Sequence, residues 1–253
     1  MMKFKDIFSN LLSFIYPQKC ICCKRIINDK AYICDECSNE ILWNSKKICV
    51  WCGLEEKHCR CKFYTYRFRK IVAPFKNNGI IKTAFYDFKF RNRTYCARFF
   101  SENMAEYVKK YYSDIKFDVI CPIPMNYFDM LGRGYNQSEI LAKDIGKILG
   151  IKLDNKIIYA HKKRVNQHKT KGAKDRFTNI RSRYYYKQKI SYKNVLLVDD
   201  IKTTGATLDE CARQLMLAGA ENVYCVTALV TEPKKRERKA IISQLDKIGL
   251  KNI

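Results

Sequence analysis

Long hydrophobic runs and acidic residues are both scarce in this sequence. No stretch approaches the roughly 20 consecutive apolar residues of a transmembrane helix, which excludes a membrane-spanning protein by this criterion. Asp and Glu number 25 against 49 Lys and Arg, so the formal net charge is +24. A surplus of this size predicts attraction to polyanions, with nucleic acid as the first candidate. Lysine-rich codon usage without a function, and an anionic membrane surface, are the alternatives.

The N-terminal segment also lacks the features of a secretory signal peptide. Lys5 and Asp6 interrupt its short apolar run, and no small-residue cleavage site precedes Cys20. Five apolar residues fall on one helical face, which is typical of a helix docked on its own core and less so of a membrane anchor: Ile7, Phe8, Leu11, Leu12 and Ile15. We therefore expect an amphipathic helix over residues 1–19 and a cytoplasmic protein.

A strand–loop–helix pattern lies near the C-terminus. The apolar run at residues 195–198 predicts a buried parallel strand, and residues 208–218 have helical periodicity that ends at Gly219. No Gly-Lys-Ser/Thr sequence follows the loop glycine, so this is not a P-loop. Between strand and helix lie two acids at the predicted strand end and a hydroxyl-rich loop: Asp199, Asp200, Thr203, Thr204, Gly205, Ala206 and Thr207.

This pattern predicts an anion site. The orphan N–H groups, the hydroxyl donors and the positive end of the helix would converge on one phosphate. The adjacent carboxylates cannot bind phosphate directly, but they suit ribose hydroxyls or a Mg²⁺ ion that carries a second phosphate group. The sequence thus predicts a site for a sugar phosphate with a metal. An ordinary strand-to-helix turn with Asp and Thr caps is the alternative.

Nine of the thirteen cysteines lie between Cys20 and Cys61. Their spacing resembles that of zinc ribbons, and in a cytosolic protein metal is favoured over disulfides. We predict two structural zinc sites paired in sequence order, with interleaved pairing, redox use and an iron–sulfur cluster as alternatives. Cys22 is left over, and His58 could replace one ligand of the second site. The predicted ligands are Cys20, Cys23, Cys34, Cys37, Cys49, Cys52, Cys59 and Cys61.

Beyond the cysteines, strand and helix patterns alternate, which predicts an α/β domain with a mostly parallel sheet flanked by helices. The predicted organisation is a zinc-ribbon module at residues 20–62, the α/β domain at 63–232 and a basic tail at 233–253. Strands are expected at 68–75, 117–121, 195–198 and 223–230, and helices at 79–90, 95–112, 138–149 and 208–218. Because ligands bind at the carboxyl ends of parallel strands, residues 122–125 and 199–207 are expected to face one pocket.

Two basic segments complete the candidate site. Arg133 offers a bidentate fork for phosphate, while Asn136 and Gln137 are either neutral donors or, for Asn136, a helix cap. Residues 161–193 contain twelve Lys and Arg and one acid, Asp175. Here we predict contacts of Lys162, Lys163 and Arg164 with DNA phosphates and stacking of Tyr185 on a base, with a solvated loop as the alternative. In an alternating strand at least one of Tyr184, Tyr185 and Tyr186 should be buried.

The acid pair with Thr203-Thr-Gly-Ala-Thr207 resembles the loop that binds phosphoribosyl pyrophosphate (PRPP) in type I phosphoribosyltransferases. Together with the cysteine pairs, Lys89-Phe-Arg-Asn-Arg93 and Arg133-Gly-Tyr-Asn-Gln137, the order of motifs resembles the competence protein ComF (ComFC) family. That family usually has Gly at the position of Asn92. The resemblance implies a type I phosphoribosyltransferase-like fold with an N-terminal double zinc ribbon.

The same resemblance implies a cytosolic role in natural transformation. It implies handling of incoming single-stranded DNA, helicase-like and recombination proteins as partners, and PRPP with Mg²⁺ as a ligand. Asp199 and Asp200 would hold the ribose hydroxyls, the Thr203–Thr207 loop the 5-phosphate, and Arg133 the pyrophosphate. The sequence identifies no general base and no acceptor, so catalytic residues are unknown. The alternative function is an active phosphoribosyltransferase of nucleotide salvage.

Overall fold

The computed structural model describes residues 17–27, 31–44, 47–59, 61, 66–161 and 183–232. Several predictions lie outside these residues: most of the helix over 1–19, the tail at 233–253, and the DNA contacts of Lys162, Lys163 and Arg164.

A parallel sheet forms the centre of the fold. Its strands are β1 (Lys70–Val72), β2 (Phe75–Lys76), β3 (Val119–Pro122), β6 (Asn194–Lys202) and β7 (Asn222–Val230). The order is β1-β7-β6-β3, and β2 also pairs in parallel with β7. A separate antiparallel pair consists of β4 (Ile158–Ala160) and β5 (Tyr184–Tyr186). The predicted α/β class with a mostly parallel sheet is confirmed.

Helices cover both faces of this sheet. They are α1 (Asp35–Glu40), α2 (Gly79–Phe90), α3 (Ala97–Tyr111), α4 (Tyr127–Arg133), α5 (Gln137–Leu149) and α6 (Ala206–Ala218). One face packs under α2, α3 and α5 in a core rich in phenylalanine, and the other packs under α6. Residues 195–198 are fully buried because β6 is covered on both sides, which is why this strand is apolar at every position.

Two features of the fold differ from the sequence expectation. The strand predicted to end at the acid pair continues through it, since β6 pairs with β7 as far as Lys202 opposite Val230. Tertiary pairing with β7 therefore overrides the polar local sequence. Helix α4 was not predicted, although Asn126 caps it by accepting a hydrogen bond from the Asp129 N–H at 3.0 Å.

The Cys-rich segment packs directly on the α/β domain. Its Asn44 side chain donates to the carbonyls of Gly53 at 2.8 Å and Ala73 at 2.9 Å, which joins the second ribbon to the chain after β1. Ile21 and Ile41 enter the main core on the α2 side. Within the described ranges, no helix is long and apolar enough to cross a membrane.

Candidate functional site

The acid pair lies near the carboxyl end of β6. Asp199 is 8 % exposed and accepts hydrogen bonds from the Ser138 hydroxyl at 3.0 Å and from the Asp200 N–H at 2.8 Å. Asp200 is less buried and forms an ion pair with Lys89 from the end of α2. The two carboxyls therefore have different surroundings, one held by neutral donors and the other by a cation.

Burial and, second, the negative charge of Asp200 raise the pKa of Asp199 to about 7. The Asp200 N–H, the Lys89 ammonium and the Ser138 hydroxyl oppose this shift. A carboxyl in this state exchanges its proton near neutral pH. A cation bound beside it would favour the carboxylate, so proton release and cation binding are linked at this position.

The hydroxyl-rich loop connects β6 to the N-terminus of α6. Gly205 has φ +82°, which glycine adopts without strain, and it precedes the first residue of the helix. The Thr204 hydroxyl accepts from the Ala206 N–H at 3.3 Å, and the Tyr66 hydroxyl donates to the Thr204 carbonyl at 3.0 Å. The loop conformation is therefore stabilised by one hydrogen bond within the loop, to the Thr204 hydroxyl, and by one from Tyr66.

An acid in the first turn of α6 has its charge compensated. Asp209 accepts from the backbone N–H and from the guanidinium of Arg67, both at 2.6 Å. This pairing offsets the repulsion that a carboxylate in this turn would exert on a bound phosphate. The positive end of the helix remains available for an anion.

Most of the Arg133–Gln137 motif has a structural role. Tyr135 donates to the Phe88 carbonyl, and Gln137 donates to the Lys89 carbonyl at 3.0 Å. The Asn136 side chain accepts a hydrogen bond from the Ser138 N–H at 3.1 Å. It therefore caps α5, which is the second of the two roles predicted for this residue. The motif thus fastens the end of α2 to the start of α5. The Arg133 guanidinium lies 4.8 Å from the centre of the Phe90 ring, within cation–π distance.

The basic turn after α2 is organised around a buried acid. Asp87 pairs with Lys24 of the first ribbon at 2.6 Å, with Arg91 at 3.1 Å and with Arg93 at 2.6 Å. Asn92 has φ +54°, the left-handed conformation that Gly, and less often Asn, adopts. The departure from the usual family glycine is therefore compatible with this turn.

These elements surround one cavity of about 790 Å³. Of the predicted PRPP-binding residues it is lined by Asp199, Asp200, Thr203, Thr207 and Arg133, whereas Thr204, Gly205 and Ala206 are not among the residues that line it. Sequence reasoning missed several lining residues. Lys89 could have been found from its basic turn, but nothing local pointed to the others: Ser138, His161 and Arg183.

The cysteines form two clusters in sequence order. The ligand atoms of each set lie within 4.8 Å of one another, and the sets are Cys20, Cys23, Cys34 and Cys37, then Cys49, Cys52, Cys59 and Cys61. Sγ–Sγ distances within the clusters of 3.3–3.7 Å approach the roughly 3.8 Å edge of a tetrahedron with 2.3 Å Zn–S bonds. The donor sets therefore fit structural zinc, and the pairing is sequential. His58 lies instead beside Glu55 and Glu232. Cys22 belongs to neither cluster, and burial raises its pKa to about 12.

Comparison with known proteins agrees with this architecture. The phosphoribosyl transferase domain matches residues 100–253, and the double zinc ribbon domain matches residues 11–63. The chain belongs to the phosphoribosyl transferase domain family. The match at residues 11–63 adds a double zinc ribbon N-terminal to that domain.

Curated relatives confirm the resemblance to the ComF family. Competence protein F of Haemophilus influenzae is 29 % identical over 220 residues, which cover 81 % of this chain and 93 % of that protein. Competence protein ComFC of Bacillus subtilis is 27 % identical, covering 74 % and 79 %. The DNA utilization protein YhgH of Escherichia coli K12 is 24 % identical, covering 77 % and 89 %. The purine phosphoribosyltransferase structure from Pyrococcus horikoshii is 16 % identical, covering 53 % and 84 %, with a TM-score of 0.35.

The phosphoribosyl transferase domain has a second, smaller cavity of about 370 Å³ beside the first. Pro124, Met125, Asn136 and Ala160 line both. The walls of the smaller cavity include three aromatic rings, Tyr127, Tyr159 and Tyr185. The two cavities together thus join a polar region to an aromatic one.

The tyrosine strand β5 forms part of this aromatic wall. The Tyr185 ring stacks on Tyr159 with centroids 5.8 Å apart and lies 4.4 Å from the His161 ring. Tyr184 and Tyr186 pack against the core beneath α6. All three tyrosines are half-buried, so the expectation that at least one is buried is wrong, although two of them contact the core.

Lys202, the last residue of β6, is also buried within the domain, at 3 % exposure. Burial lowers the pKa of its ammonium, and the thiols of Cys52, Cys61, Cys49 and Cys59 act in the opposite direction. Its Nζ lies 5.8 Å from the centre of the Tyr66 ring. A buried lysine therefore lies between the second cysteine cluster and the loop of the candidate site.

Proposed function

We propose that this protein is a factor of natural transformation that binds PRPP with Mg²⁺ and handles incoming single-stranded DNA. The observation that supports the ligand is the meeting of Asp199, Asp200, Thr203, Thr207 and Arg133 in one cavity. These groups offer carboxylates, hydroxyls and a guanidinium, and PRPP presents a ribose diol and two separate phosphate groups that match them.

Each part of the ligand has a counterpart. Thr203 and Thr207 donate to the 5-phosphate, helped by the positive N-terminal end of α6. Arg133 holds the pyrophosphate by bidentate contact, and Lys89 can turn from Asp200 toward it. Asp199 and Asp200 hold the ribose hydroxyls or Mg²⁺, whose charge, when bound, offsets that of the pyrophosphate.

The proposal for DNA rests on charge and on relatives. The formal net charge is +24, and similar proteins bear the names competence protein F and DNA utilization protein. Cationic grooves with aromatic rings suit single strands without sequence preference. Helicase-like and recombination proteins as partners, and a cytoplasmic location, belong to the same proposal.

A working phosphoribosyltransferase of nucleotide salvage is the second candidate. The specific observation in its favour is the smaller cavity, which adjoins the proposed PRPP cavity and has walls of Tyr127, Tyr159 and Tyr185. A planar acceptor would find aromatic contacts there. In such a reaction the protein would act by positioning and by stabilising the departing pyrophosphate through Arg133.

One experiment separates the two functions. Purified protein is titrated with PRPP and Mg²⁺ by calorimetry, and pyrophosphate release is then followed with a panel of free nucleobases. Binding without release supports a regulatory or ligand role in DNA handling. Release with one nucleobase supports salvage, and the absence of binding at millimolar PRPP contradicts the proposed site.

A further inference from the structure

Lys202 is an unusual residue to find buried. It lies two positions after Asp200 and directly before Thr203, and its register partner in the sheet is Val230. A lysine at 3 % exposure requires compensation of its charge, because an isolated buried ammonium is strongly unfavourable. No carboxylate is paired with Lys202 among the described ion pairs.

The second tetra-cysteine cluster supplies this compensation. Cys49 and Cys52 form one packed cluster with Ala73 and Val230, and Cys59, Cys61 and Tyr66 pack against it. Four thiolates around one divalent ion have a net charge of 2−, and zinc sites of this kind are closed to solvent. Lys202 pairs in the sheet with Val230, a member of this packed cluster, so its ammonium can act as a counter-ion to the cluster.

The same two neighbours support the phosphate loop. A Cβ atom added at Gly205 would lie 3.0 Å from Cε1 of Tyr66 and 3.2 Å from Cε of Lys202, so the loop backbone rests on both side chains. The Tyr66 hydroxyl also donates to the Thr204 carbonyl at 3.0 Å. Tyr66 packs against the cysteine cluster and contacts residues 204 and 205, and Lys202 contacts residue 205 from the same side.

We propose that the second tetra-cysteine centre holds the phosphate-binding loop in place, with Lys202 and Tyr66 as positioning residues. The first centre, whose Lys24 pairs with Asp87, has no such contact with the loop among the described residues. The consequence for PRPP rests on the proposed function. Metal in the second site and PRPP in the cavity then favour each other, and by reciprocity each raises the affinity of the other by the same factor.

Hydrogen exchange at residues 203–207, followed by mass spectrometry, tests the coupling without any ligand. Cys61→Ser should lower zinc content by one ion per chain and speed exchange in this loop at least about five-fold, the lower end of typical couplings. The matched control Cys34→Ser should lose the other ion and leave the loop unchanged. Equal exchange in Cys61→Ser and wild type overturns the proposal.

Two further variants keep the thiols intact, in case Cys61→Ser fails to fold. Lys202→Met removes the charge at similar length, and Tyr66→Phe removes the hydroxyl alone. Both should speed loop exchange, and Lys202→Met should also speed zinc transfer to a chromogenic chelator, whereas Lys24→Met should leave loop exchange unchanged. If both variants exchange like wild type, the coupling is wrong.

A measurement with PRPP present distinguishes a failure of this inference from a failure of the proposed function. PRPP with Mg²⁺ should raise the zinc affinity of wild type, measured at equilibrium against a competing chelator, by the factor by which zinc raises PRPP affinity, about five-fold or more. A wild type that binds no PRPP contradicts the proposed function, while the exchange results still decide the coupling. PRPP that binds without raising zinc affinity overturns the coupling and leaves the proposed function standing.

Discussion

Asp199 and Asp200 are adjacent in the sequence and differ in environment. Asp199 is buried and held by Ser138, and Asp200 is paired with Lys89. Desolvation and a neighbouring negative charge both favour the protonated form of Asp199. One carboxyl of the pair thus responds to pH near neutrality.

Removing both charges should weaken the proposed ligand. Asp199→Asn with Asp200→Asn should lower Mg²⁺–PRPP affinity by about 10–100-fold, which corresponds to charge-assisted contacts of roughly 1.5–3 kcal/mol. The matched control is Asp118→Asn at the opposite end of β6, where Asp118 accepts from the Asn194 N–H. Calorimetry measures both. Unchanged affinity in a double variant that remains folded would show that the acid pair does not bind PRPP.

The raised pKa of Asp199 predicts a pH dependence of stability. Its folded-state pKa of about 7 lies above the ordinary value of 3.8, so between these pH values the folded protein retains a proton that the unfolded chain has lost. The contribution of this carboxyl is therefore largest at low pH and is lost as pH rises toward 7. From pH 5 to 8, wild type should lose on the order of 2 kcal/mol relative to Asp199→Asn. Urea unfolding at both pH values measures this, and parallel curves for the two proteins would contradict it.

At the scale of elements, the two ribbons differ in what they pack against. The first contacts α2 and α3, through Lys24 with Asp87 and through Tyr32 with Glu102 at 3.4 Å. The second packs on β7 and the chain after β1. Segments this short bury too little apolar surface to fold without a cross-link or metal. Metal binding then supplies much of their folding free energy.

Zinc content and a single ligand substitution test this account. Protein purified without chelators should contain close to two zinc ions per chain by elemental analysis. Cys34→Ser should remove one ion and unfold the first ribbon locally, seen as fast hydrogen exchange around residues 20–37. Cys22→Ser is the matched control, since Cys22 lies outside both clusters, and it should retain both ions. An iron–sulfur absorption band, or no metal, would contradict the zinc assignment.

At the scale of the whole molecule, the net charge of +24 is the property to explain. The described structure engages part of it in ion pairs, among them the three cations around Asp87. The basic segment that contains Lys162, Lys163 and Arg164 lies outside the described residues. The two explanations, binding of a polyanion and a solvated lysine-rich surface, differ in their salt dependence.

Salt titration of single-stranded DNA binding distinguishes them. If the charge is functional, affinity falls with salt at a log–log slope near −0.7 per neutralised phosphate. Replacing Lys162, Lys163 and Arg164 by Ala should flatten the slope by up to roughly two units. Tyr185→Ala should instead weaken binding by about 1–3 kcal/mol with little change of slope. Each variant must keep its PRPP affinity; DNA binding equal to wild type in both would favour the solvated surface.

Local patterns in the sequence determined a large part of this protein. Apolar runs predicted the parallel strands, since buried strands are apolar on both faces, and helical periodicity located α2, α3, α5 and α6 to within a few residues. The paired cysteines predicted two clusters in sequence order, which is the grouping that the described residues have. The acid pair and threonine loop predicted a polar site at the end of β6. All of these signals lie within about a dozen residues, where periodicity and spacing act.

The tertiary structure decided the contacts between residues that are distant in the sequence. Lys89 meets Asp200 across 111 positions, and Ser138 meets Asp199 across 61. Pairing with β7 extended β6 past the acids and buried Lys202 beside the second cysteine cluster. No local sequence pattern predicts these long-range contacts, because the same polar residue type can face solvent or bind a distant partner. Their energetics depend on burial and on nearby charge, which come into being when the sheet and the ribbons pack together.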